Sequence, residues 1–252
     1  MRFDASILLL VALGISNVSA DCLHEEWMVY EGDRIIINGA NQYYSFQTDH
    51  VSIDADGAPN AYHPENIGLD YLANAGYPDK TWWPSVIAKD PDSPEEGYIQ
   101  IDGEYAGYFV SKTSLQDKTK IETDPERYVD ATSIPYLVFP RTFYKLRGTG
   151  LLGDHGIALN KSTGKSSVFV VADIGPSGKP MGEISIKLAE NLGGINVNPR
   201  NGAGVAAGDT RYIVFPYSSK EYPWPLSLEE IELNVSTLIS LASDIESLDE
   251  CF

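Results

Sequence analysis

Short runs of β-branched and aromatic residues, bounded by Gly, Pro, Asp or Asn, constrain this chain most. Residues 34–37, 43–46, 98–101, 108–110, 136–139, 156–159, 168–171 and 212–215 all have this character and read as short strands. Many short strands at such spacing predict a mainly β barrel or sandwich. One segment has a different period. Leu228, Ile231, Val235, Leu238, Ala242 and Ile245 recur at three and four residues, with Ser227 and Glu230 placed as a capping box. The spacing predicts a C-terminal amphipathic helix over about 227–248, packed on the β-structure and ending close to Cys251.

The ends of the chain set its compartment. Residues 1–20 read as a signal peptide: an apolar core at 7–13 precedes Val18-Ser19-Ala20, small residues suited to a signal peptidase. No other run approaches the roughly 18 apolar residues that span a bilayer, so a secreted protein without a membrane partner is expected. Residues 21–252 suit one catalytic domain with a sizeable core. The only two cysteines, Cys22 and Cys251, stand at opposite ends of that domain. In an oxidising compartment such a pair is expected to form one disulfide that ties the termini together.

The stretch 172–185 carries the sharpest chemical signal. Asp173 ends the apolar run 168–171, and Glu183 follows a turn built from Gly175-Pro176-Ser177-Gly178 and Gly182. Ile186, Leu188, Ala189 and Leu192 after it have helical spacing, with Gly193-Gly194 as a stop. Glu183 is thus expected in a first helical turn, where the dipole favours its ionised form, while Asp173 stays protonated more easily. Two carboxyls with pKa values pushed apart are what glycoside hydrolysis demands. Asp before Gly-Pro and Glu at a helix start are also ordinary turn and capping chemistry.

Several segments carry a resemblance. Leu152-Gly153-Asp154-His155-Gly156-Ile157-Ala158-Leu159, residues 167–176 and Gly182-Glu183-Ile184-Ser185 look like the core of a double-psi β-barrel. A wider set resembles the fungal-type chitosanases of glycoside hydrolase family 75 and their bacterial relatives: Asp54-Ala55-Asp56-Gly57, Ala61-Tyr62-His63-Pro64, Gly68-Leu69-Asp70-Tyr71-Leu72, residues 108–115, residues 134–140 and the Asp173/Glu183 block. The resemblance runs from about residue 51 to 216. It implies a six-stranded double-psi-type barrel with added strands, Asp173 and Glu183 as the essential pair, and an inverting reaction. It also implies that Asp54, Asp56 and His63 line the cleft and meet substrate amines or the attacking water; Asp154 is a further candidate substrate contact. In this scheme Asp173 protonates the leaving oxygen, and Glu183 or an acid of the 54–56 loop activates water.

Composition narrows the partner. With 36 acidic against 18 basic residues the formal net charge is −18, which argues against nucleic acid and favours a cationic polysaccharide such as chitosan. Acidity for solubility alone accounts for the same number. The 54–57 segment fails as an EF-hand, because position one is Ser52 and position twelve His63. No cofactor and no metal site is expected, and the protein is expected to be a monomer. Ser111-Lys112-Thr113-Ser114 lacks the order of a serine–lysine catalyst and reads as a hydroxyl network. Trp82-Trp83, Tyr43-Tyr44 and Trp224 are either sugar-stacking faces or core and loop anchors. Two readings compete with the hydrolase: an expansin-like barrel that binds wall polysaccharide without cutting it, and a lytic transglycosylase needing one acid.

Overall fold

The computed structural model describes Cys22, residues 24–40 and residues 42–252, so the signal-peptide segment 1–20 lies outside the described residues. Nine strands form one mixed sheet: β1 (His24–Tyr30), β2 (Asp33–Asn38), β3 (Tyr44–Thr48), β4 (Ser52–Asp54), β5 (Tyr136–Pro140), β6 (His155–Asn160), β7 (Ser166–Gly175), β8 (Glu183–Ser185) and β9 (Thr210–Phe215). Their order is β1-β2-β3-β9-β6-β7-β5-β8-β4. The fold is therefore mainly β. Most pairs are antiparallel, while β5 with β7 and β4 with β8 run parallel. Three helices, α1 (Arg141–Tyr144), α2 (Ile186–Asn191) and α3 (Leu228–Leu241), accompany the sheet.

Six of the eight expected strands form. Residues 98–101 and 108–110 instead make isolated bridges, Ile99 with Phe109 among them. Gly103 and Gly107, both at positive φ, turn the chain before a ladder extends, and Ile101 is left 81% exposed. Three further strands are not expected from the sequence. β1 reads His-Glu-Glu-Trp-Met-Val-Tyr, and β4 and β8 are three residues each, held by pairing with partners distant in sequence.

Aromatic packing fills the interior. Tyr44, Phe46, Tyr136, Phe139, Phe169 and Tyr212 are fully buried, and Phe46 stacks on Tyr212 with ring centroids 4.9 Å apart. α3 starts at the expected capping box, with Ser227 and Glu230 each bonding the other's backbone N–H. Ile231 and Val235 are its buried face, set over β6 and β7. The helix stops at Leu241, short of the expected 248. Asp244 takes a left-handed conformation, φ 62°, and a 3-10 turn over Ile245–Cys251 folds Leu248 and Cys251 back onto Ile36, Tyr43 and Phe215.

That return places Cys251 against Cys22 in a disulfide spanning 229 residues. It anchors edge strand β1 to the C-terminus. Arg34 on β2 adds to the clasp by donating to the Cys251 carbonyl at 2.8 Å. The chain has two Asn-x-Ser glycosylation patterns, at Asn160 and Asn234; Asn160 is closed, since it is 1% exposed and its amide donates to the Ala207 carbonyl and Thr210 Oγ1 at 3.2 Å each.

Reduction, or Cys251→Ser, is expected to destabilise the fold. Chain entropy for so long a loop sets an upper value of about 5 kcal/mol. At a few degrees per kcal/mol the thermal midpoint should fall by roughly 5–15 °C, measurable by calorimetry with and without reductant. An unmoved midpoint refutes the clasp.

Candidate active site

Strand β5 organises the site. Val138 on β5 stands opposite Asp173 of β7 on one side and opposite Glu183 of β8 on the other. Residues opposite each other in a sheet share a face, so both carboxyls project with Val138 into one cleft of about 650 Å³. The alignment depends on a register shift. Leu137 pairs with Val171 but Val138 pairs with Asp173, so Ala172 is a bulged extra residue whose carbonyl accepts from Leu115 N–H at 2.8 Å. Without it Asp173 would face the opposite side of the sheet. Two strand spacings put the Asp173 and Glu183 backbones about 9–10 Å apart.

Local chemistry then separates the two acids. Oδ1 of Asp173 accepts from Ser114 N–H at 2.9 Å, from Ser114 Oγ at 2.5 Å and from Ile174 N–H at 2.8 Å. Burial raises its pKa, and these donors and Arg141 offset part of the rise by favouring the carboxylate form. Glu183 has no such cradle. Burial, then the charge of Asp173, pushes it up to about 7, against a weaker lowering by Lys179. Its carboxyl fits because residue 175 is glycine: a Cβ there would lie 2.9 Å from Glu183 Oε2.

The surroundings of Glu183 differ from the expectation. Glu183 lies in β8 rather than in the first turn of a helix, since α2 begins at Ile186 with Ser185 as its cap. Its pKa is raised rather than lowered, by burial first and by the charge of Asp173 second.

Asp54 and Asp56 line the cleft, as expected. Asp54 Oδ1 accepts from Asp56 N–H at 2.8 Å, and Asp56 Oδ1 accepts from Tyr62 Oη at 2.7 Å. Burial raises both pKa values well above normal; Asp173 and Glu183 add to the shift of each, as Asp54 does to that of Asp56. Oxygens of Asp54, Asp56 and Asp173 lie within 4.8 Å of one another, close enough for one cation to touch all three.

The other two expected contacts lie elsewhere. Asp154 is fully buried and accepts from Leu151 N–H, Tyr217 N–H, Ser219 N–H and Ser219 Oγ at 2.6–3.0 Å. Four donors saturate this carboxylate, which joins the loop before β6 to the turn after β9 and does not line the cleft. His63 is half-buried, with Nδ1 accepting from Glu65 N–H at 3.0 Å and its ring edge-on to Tyr108. It too is absent from the cleft lining.

Sequence reasoning missed Ser114 as the residue that holds Asp173, and Arg141 beside it. Its hydroxyl-rich segment was the only signal. Elsewhere that segment forms the expected network: Ser111 Oγ accepts from Gly57 N–H, and Thr113 Oγ1 from Val129 N–H, both at 3.0 Å.

Four buried carboxyls with raised pKa values make the folded protein bind more protons than the unfolded chain. The contribution of these four groups to stability is therefore greatest in acid and is lost as pH rises. For Glu183 the loss runs from its ordinary 4.5 to about 7. Glu183→Gln removes that loss, so at about pH 8 the variant should gain on the order of 1–2 kcal/mol over wild type, with no gain at about pH 4. Thermal midpoints of both proteins across this range check it; a difference independent of pH refutes it.

No protein-family model and no curated protein matches the chain.

Proposed function

We propose that this protein is a secreted, endo-acting glycoside hydrolase of the family 75 chitosanase type, cutting β-1,4 bonds of chitosan with inversion. We further propose that β4, β8, β5, β7, β6 and β9, consecutive in the sheet, form its double-psi barrel core. The single observation that carries the reading is the pair Asp173 and Glu183, facing one cleft from either side of Val138, the first hydrogen-bonded by Ser114 and Ile174 and the second raised by burial and by the charge of Asp173.

Glu183, protonated below about 7, is the general acid and gives its proton to the leaving glycosidic oxygen. Asp173, whose carboxylate form is favoured by the Ser114 and Ile174 amides, is the general base and takes a proton from water attacking the opposite face of the sugar. The inverting reaction requires roughly 6.5–9.5 Å between the two carboxyls, with that water between them. Asp54 and Asp56 place further acceptors where an amino sugar would lie, and the −18 charge attracts a polycation. Among the described residues no helix is long and apolar enough to cross a membrane, and the Cys22–Cys251 disulfide suits an oxidising compartment.

Product analysis on chitosan, chitin, peptidoglycan and β-glucan tests the assignment, with solvent ¹⁸O and anomeric configuration followed. Chitosan oligomers carrying solvent oxygen and the inverted anomer are expected. Binding without cleavage supports the expansin-like alternative, and chain scission without water incorporation supports the transglycosylase.

Glu183→Gln and Asp173→Asn should each lower kcat by about 10²–10⁴ while folding persists. In wild type, kcat/KM should fall above about pH 7 as Glu183 loses its proton, and fall again in acid as Asp173 gains one. An active Glu183→Gln, or an alkaline limb far from neutrality, removes Glu183 from the role of acid.

A further inference from the structure

Of the aromatic residues the sequence offers as sugar platforms, one faces the cleft. Tyr43 and Tyr44 are fully buried, Trp83 is 7% exposed in the core, and Trp224 packs half-buried against it. Trp82 is 48% exposed and lines the cleft. Its indole lies on the backbone of Gly76, where an added Cβ would come within 2.8 Å of the ring. Backbone bonds from Lys80 N–H to Gly76 and from Trp83 N–H to Lys80 pin the intervening turn, so the ring is held in place before any ligand arrives.

The same wall carries a polar pair. Asp70, 5% exposed, and Asn74 both line the cleft. Asp70 Oδ1 accepts from Tyr71 N–H and from Asn74 Nδ2, each at 2.7 Å. A carboxylate can only accept, so the Asn74 amide is oriented with its NH₂ toward Asp70 and its carbonyl oxygen left for a ligand. Arg200 is already committed: it lies over the Tyr71 ring at 4.6 Å and donates to the Asn66 and Gly68 carbonyls.

We infer that Trp82, Asn74 and Asp70 form a sugar-binding subsite, on a wall of the cleft separate from the catalytic strands, selective for an unacetylated amino sugar. A pyranose ring stacks its C–H face on the indole, and its amino and hydroxyl hydrogens meet the Asn74 carbonyl and the Asp70 carboxyl. An acetamido group would bring its own carbonyl acceptor against these acceptors, which disfavours the acetylated unit. The inference deepens the chitosanase reading and takes its sugar class from it, while the subsite itself is testable by binding alone.

The experiment uses Glu183→Gln as a background that binds without turnover. Glucosamine tetramer, N-acetylglucosamine tetramer and cellotetraose are titrated by tryptophan fluorescence and calorimetry. Adding Trp82→Ala should abolish the fluorescence change and weaken glucosamine-tetramer binding about tenfold, with Trp82→Phe restoring most of it. Asn74→Leu should narrow the preference for the glucosamine over the acetylated tetramer. Unchanged affinity in a folded Trp82→Ala protein overturns the subsite, as does failure of all three oligomers to bind. Should Trp82→Ala not fold, Trp82→Phe and Asn74→Leu decide: binding and preference equal to the background refute the inference. If wild type cuts chitosan while these variants bind normally, the subsite falls and the hydrolase stands. If it cuts nothing while binding still depends on Trp82, the hydrolase falls and the subsite stands.

Discussion

The pairing of β5 with its two neighbours is the constraint on which the site depends. Val138 sets the register of β7 by parallel bonds and of β8 by antiparallel bonds, and thereby aims Asp173 and Glu183 into one space. A sheet changes a side chain's face with every residue of slip, so the bulge at Ala172 decides whether there is a pair at all. Leu115 bonds the bulged carbonyl, and the adjacent Ser114 bonds the Asp173 carboxylate. One loop segment therefore stabilises both the irregularity and the charge that the irregularity exposes.

Gathering carboxyls in this way works against the fold. Asp54, Asp56, Asp173 and Glu183 are driven toward their protonated forms by burial, and all but Asp173 also by neighbouring carboxyls. The opposing contributions lie away from the cleft, in the stacked aromatics beneath the sheet and in the disulfide that closes the chain on itself. A site with strained electrostatics on a rigid scaffold is the common arrangement where function costs stability.

The long excursion between β4 and β5 builds the other wall. It has few ladder hydrogen bonds and is organised by side chains: Ser111 and Thr113 bonding backbone amides, Asp70 ordering its own turn, and Trp82 lying on Gly76. Such segments carry binding residues because their backbone is free of the sheet's two-residue period. Carboxyls on strands and the aromatic and polar groups of loops thus meet in one cleft from two kinds of structure.

What the sequence determined by itself is local. β-branched and aromatic runs marked six strands, a Ser–Glu spacing marked the start of α3, and two cysteines marked the clasp, because each depends on residues close together or on a pairing with a single possible partner. Residue type and spacing likewise singled out Asp173 and Glu183, and the resemblance added Asp54 and Asp56; all four line the cleft. Only the tertiary structure decided the rest. Strands β4 and β8 exist through partners far along the chain, Asp154 is spent on bonds to the distant Tyr217 and Ser219 and His63 on the nearby Glu65 amide, and the pKa of Glu183 is raised rather than lowered. Burial and the charge of a neighbour decide that last point, and both are properties of what the fold brings together rather than of any residue's immediate sequence.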